Sequence, residues 1–189
     1  MTSHPDTRLR RFATIHLALA VVIVVLLAYC VLAGLGWLSG DLPKPLFAAA
    51  RAVYWGGLLY LVTSATLQLR LGLELRRGIN HRGPTWPLLS GGHVVVLLVV
   101  VATMAQGTSA RIYHTGLEPM IAPLAVASLL AAITGIATWW RCPADTATEG
   151  GTPIPRLPWL RLVPFVIAYV LTAAALGYLQ LQPLPELPA

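Results

Sequence analysis

Two of the five histidines, His16 and His93, sit inside long runs that contain no charged residue. An ionisable ring in such a run is costly to bury unless it is put to use, so these positions are the first candidates for chemistry. His16 follows Arg11 by five residues, roughly 7 Å along a helix at about 1.5 Å per residue. His93 follows Pro87 by six, roughly 9 Å by the same rise. If both helices enter from one side, the two imidazoles share a depth. Two neutral imidazoles facing each other across a bundle core would supply the axial ligands of one six-coordinate b-type haem. Gly91-Gly92 beside His93 would leave room for the flat macrocycle.

A plainer reading competes with this one. Ser64 and Gln68 lie four residues apart, as do Thr134 and Thr138, so each pair shares a helix face. All four fall near the expected depth of the histidines, and together they make an inner polar cluster that could simply tie helices together by hydrogen bonds. This structural reading outweighs the haem reading. A two-haem cytochrome is excluded, because it needs four ligands at two depths.

Elsewhere the chemistry thins out. His114, with Glu118, Met120 and Met104 nearby, has the soft donors a Cu(I) site would use. A solvated interfacial loop explains it more simply. His4 and His81 stand in polar, arginine-bearing segments. Cys30 and Cys142 form no C-x-x-C pair and are predicted near opposite faces of the bilayer, beyond disulfide reach. Hydrolase, zinc-protease and phosphate-loop motifs are missing. No Asp or Glu occupies a span centre, which removes carboxylate proton relays.

The elements that must position these residues follow from composition. The 189 residues are 57% hydrophobic and 11% charged, against about 25% charged in soluble domains. Mean hydropathy is +0.72. Uncharged runs cover 12–40, 52–69, 83–110, 119–140 and 162–185, each at or above the roughly 18 residues that read as a spanning helix. The expected fold is an all-α integral membrane bundle of five transmembrane helices. The spans are predicted at about 12–37, 45–70, 86–106, 119–140 and 158–180. They form one domain over 12–180, after a cytoplasmic segment 1–11 and before a proline-rich outer tail 181–189. An apolar first span about twice the length of a signal-peptide core is read as retained.

Orientation follows from the cations. Ten of the thirteen lie in the N-terminal segment and the loops after spans two and four; Lys44, Arg51 and Arg111 lie opposite. Positive residues favour the cytoplasmic side, so the N-terminus is expected inside and the C-terminus outside. The basic charge thereby becomes a topology signal rather than a nucleic-acid signal. Arginine far outnumbers lysine, a usage that suggests a bacterial cytoplasmic (inner) membrane.

The string Tyr54-Trp55-Gly56-Gly57-Leu58-Leu59-Tyr60 resembles the tryptophan–glycine segment of CopD-type bacterial membrane proteins. That family's pattern has a histidine about two turns earlier, where this chain has Phe47-Ala48-Ala49-Ala50. The likeness spans seven residues and carries no function across.

Ala127, Ala131 and Gly135 form a small-residue stripe that permits close helix approach, within the bundle or to another subunit. Three functional classes remain, in this order. The first is a non-catalytic helical subunit or accessory component of a membrane complex, with lipid and other membrane-protein subunits as partners. The second is an electron-transfer protein holding haem b through His16 and His93. The third is a small-solute or metal carrier using the inner polar cluster and His114.

Overall fold

The computed structural model describes residues 7–34, 44–79, 85–105, 115–141 and 162–182. These residues are all-helical, without strands: α1 Thr7–Gly34, α2 Lys44–Arg76, α3 Thr85–Ala105, α4 Glu118–Arg141 and α5 Val163–Gln180. Each is long and apolar enough to cross a membrane. The outward side chains are apolar as well, with Val21 64%, Val25 61%, Leu32 69% and Leu98 61% exposed. A perimeter of this kind is untenable in water but suits lipid, and it points to an integral membrane protein.

The helices extend past the apolar runs at the arginine-bearing end. α1 begins at Thr7 and takes in Arg8, Arg10 and Arg11, while α2 continues to Arg76. Arginine and glutamate are good helix formers, so loss of hydrophobicity does not stop a helix. Backbone chemistry does. Gly78 adopts φ +80°, Gly78 N–H donates to the Leu75 carbonyl at 3.0 Å, and Ile79 N–H donates to the Glu74 carbonyl at 2.9 Å. This pair of bonds is a Schellman cap, which needs a left-handed residue that glycine supplies without strain.

Contacts between helices give their directions. Cys30 lies by Pro119 and Tyr54, and His16 by Gln68 and Thr138, so α1 runs antiparallel to α2 and α4. Gly92 meets Phe165 and Thr103 meets Gln180, so α3 and α5 run parallel. The main packing partners close a ring in the order α1, α2, α5, α3, α4, and α2 touches α4 inside it. Ile23, Leu61, Leu71, Leu124 and Leu176 fill the interior.

Small residues set the close approaches. Ala127, Ala131 and Gly135 are buried, and a Cβ on Gly135 would collide with Ser90 Oγ of α3. The α4 stripe therefore packs within the chain. Gly56 rests against Thr172 of α5, and Gly57 against Met120 of α4.

Candidate functional site

Buried polar side chains gather in two layers of the bundle. In the first, His16 of α1 is fully buried. Its Nδ1 lies 2.5 Å from Gln68 Oε1 on α2, and its Nε2 lies 2.9 Å from Thr138 Oγ1 on α4. The Thr138 hydroxyl donates its one proton to the Thr134 carbonyl at 2.7 Å, so it accepts from His16 Nε2–H. Gln68 then closes the other side of the ring. Its carbonyl as placed accepts from a protonated Nδ1, and a half-turn of the amide lets the NH₂ donate to a neutral one. Both ring nitrogens are committed in either case. Trp86 of α3 packs on the imidazole with centroids 5.4 Å apart.

In the second layer, the Tyr60 hydroxyl of α2 bridges His93 Nδ1 of α3 at 2.6 Å and Ser128 Oγ of α4 at 2.9 Å. Tyr60, His93 and Ser128 are all buried. Phe165 of α5 packs on the His93 ring at 4.8 Å between centroids. It also fills the space beside Gly92, where an added Cβ would stand 2.9 Å from a Phe165 ring carbon.

The expectation that His16 and His93 share a depth is corrected here. His16 is level with Gln68, Thr138 and Trp86, whereas His93 is level with Tyr60 and Ser128. Along α2, α3 and α4 these markers are eight, seven and ten residues apart, an axial offset of roughly 10–15 Å. The cause is a stagger of helix ends. α1 starts nine residues before His16, yet α3 starts only one residue before Trp86. Counting inward from each helix's own start therefore cannot place the two rings at one level.

The residues expected to form an inner polar cluster are only partly joined. Gln68 and Thr138 meet at His16, and Thr134 contributes its backbone carbonyl. Ser64 is buried between the layers. His114 lies outside the described residues. Tyr60, Ser128, Trp86 and Ser90 belong to the site, although sequence reasoning did not select them. The missed signal was a longer stripe: Tyr60, Ser64 and Gln68 recur every four residues on α2, and Trp86, Ser90 and His93 share a face of α3.

Among the described residues, four buried polar atoms have no hydrogen-bond partner: Trp86 Nε1 in the first layer, His93 Nε2 in the second, and Ser64 Oγ and Ser90 Oγ on the turns of α2 and α3 that connect them. Such atoms are uncommon in folded interiors and call for a physical account. A haem held by both histidines gains no support, because neither nitrogen of His16 is free and Phe165 occupies the space next to Gly92. Among the described residues no group of three or more His, Cys, Asp or Glu side chains could hold a metal ion. No protein-family model matches this chain, and no curated protein or solved structure matches it either.

Proposed function

We propose that the chain is an integral protein of a bacterial cytoplasmic membrane, with its N-terminus inside and its C-terminus outside. It serves there as a non-catalytic helical subunit or accessory component of a membrane complex. The observation that carries this reading is the His16 layer, where one imidazole spends both nitrogens in holding α1, α2 and α4 together. A side chain committed in this way acts as a clamp and has no nitrogen left for catalysis or ligation. The basic residues support the orientation: Arg8, Arg10, Arg11, Arg70, Arg76 and Arg141 lie on helix segments that share one end of the bundle, as positive residues do on the cytoplasmic side.

The test is gentle extraction from native membranes at native expression, followed by size and composition analysis. A second, distinct integral membrane protein present in fixed stoichiometry is the expected result. A lone 20.3 kDa chain, or only copies of itself, would overturn the reading.

A second reading, a carrier of small polar solutes, is favoured by the four buried polar atoms, spread over the two layers and the turns connecting them, that have no hydrogen-bond partner among the described residues. Buried donors and acceptors that the protein leaves unpaired suit a polar guest of a few atoms. Uptake of small hydroxylated solutes into proteoliposomes, lost in Ser90→Ala/Ser64→Ala, would support it. Impermeability equal to that of empty vesicles would exclude it. No specific observation favours the electron-transfer reading.

A further inference from the structure

The stagger that separates the two imidazoles also leaves a step at the arginine-bearing end. α1 extends nine residues beyond the level of His16, whereas α4 ends three residues beyond its partner Thr138. In the angle between them lies a cleft of about 590 Å³ whose lining includes Arg8, Arg11, Phe12, Trp140 and Arg141. Three guanidiniums thus border one concavity. The one carboxylate described at this end, Glu74, is held by Arg70 at 3.2 Å on α2.

The cleft has an apolar side too. Phe12 and Trp140 stand beside the guanidiniums, and Ile15, Ile133 and Ile136 continue the exposed surface of α1 and α4 towards the middle of the bundle. A free phosphate would use only the arginines. A phospholipid would use both parts, with its phosphate on the planar guanidinium forks and its acyl chains along the isoleucines.

We propose that this cleft is a binding site for an anionic phospholipid headgroup, held by Arg11 and Arg141 with Arg8 beside them. The inference rests on the membrane reading above and on the arginine-bearing end lying at a membrane surface. A second groove, bordered by Arg10, Ala13, Thr14, Leu17 and Arg76, lies on the α2 side of α1 and offers two guanidiniums rather than three. It serves as the internal control.

The experiment is native mass spectrometry of the full chain released from nanodiscs of phosphatidylethanolamine doped with cardiolipin or phosphatidylglycerol. Each arginine in contact with the bound headgroup contributes about a fivefold factor to retention of that lipid. Arg11→Gln/Arg141→Gln is therefore expected to lower anionic-lipid retention by about 25-fold. Arg10→Gln/Arg76→Gln should leave it unchanged, and Arg11→Lys/Arg141→Lys should retain an intermediate fraction. Equal retention in Arg11→Gln/Arg141→Gln and wild type would overturn the proposal, as would equal retention of phosphatidylethanolamine or displacement by millimolar inorganic phosphate. Thermal unfolding of each variant reports folding separately. Alkaline extraction of cell membranes reports the membrane reading: a chain that stays in the membrane yet retains no anionic lipid sinks only the lipid site.

Discussion

His16 and Thr138 are joined by a bond whose direction is set from outside the pair. Thr138 gives its proton to the Thr134 carbonyl at 2.7 Å and must therefore receive one from His16 Nε2 at 2.9 Å. The tautomer of a buried imidazole on α1 is thus chosen by a backbone carbonyl on α4. Through Gln68, the same ring also fixes α2.

Removing either partner should cost stability through the nitrogen left unpaired. Interhelical hydrogen bonds in membranes are worth about 0.6 kcal/mol on average and up to about 1.7 kcal/mol. Gln68→Leu and Thr138→Val are each expected to lower stability within that range, by thermal or denaturant unfolding in detergent. Adding His16→Leu to Gln68→Leu should cost less than the sum of the two single changes. Strict additivity would mean that the ring and the amide do not interact.

Tyr60 carries the second layer alone. Tyr60→Phe keeps the ring but strips partners from both His93 Nδ1 and Ser128 Oγ, so it should destabilise more than Ser128→Ala, which removes one bond. The expected loss is about 1–3 kcal/mol, the usual penalty for orphaning a buried polar group. If Tyr60→Phe unfolds like wild type, the hydroxyl bridge is not what joins α2, α3 and α4.

The α3–α4 approach offers a rescue experiment. Gly135→Ala places a methyl group against Ser90 Oγ and pushes that hydroxyl off its rotamer, at a cost of about 0.5–1.5 kcal/mol. Ser90→Ala removes the obstructing oxygen, and the Ser90 Cβ itself stands 3.5 Å from the new methyl, an ordinary contact. The double variant should therefore recover most of the loss. Gly91→Ala, with nothing within 4 Å, should be neutral or add up to about 1 kcal/mol through helix propensity. A Gly135→Ala chain as stable as wild type would contradict the packing.

The committed nitrogens of His16 bear on haem. The purified chain is expected to show no change in the haem α-band region between oxidised and reduced states. A band lost in both His16→Ala and His93→Ala would show that the helices rearrange around a cofactor.

Orientation is tested with paired reporters. Alkaline phosphatase fused after Ala189 should be active, and the same fusion placed after Arg77 should be inactive. Equal activity at both positions would remove the odd number of crossings between them, and an active fusion after Arg77 would remove the inside position of the basic end.

The five apolar segments were legible from the residues alone, because the cost of burying charge in lipid acts on each stretch of chain independently. So was the sharing of a face by Ser64 with Gln68 and by Thr134 with Thr138, since a spacing of four aligns side chains in any helix. The level at which two helices meet is not a local property. α1 and α3 carry one histidine each, but the ends of these helices are staggered. The sliding of one helix against the other is decided by packing, such as Trp86 on His16, Phe165 against Gly92 and Ser90 over Gly135. Nothing in the apolar runs encodes that slide. Tertiary structure alone therefore set His16 with Gln68 and Thr138, and set His93 a deeper layer away with Tyr60 and Ser128.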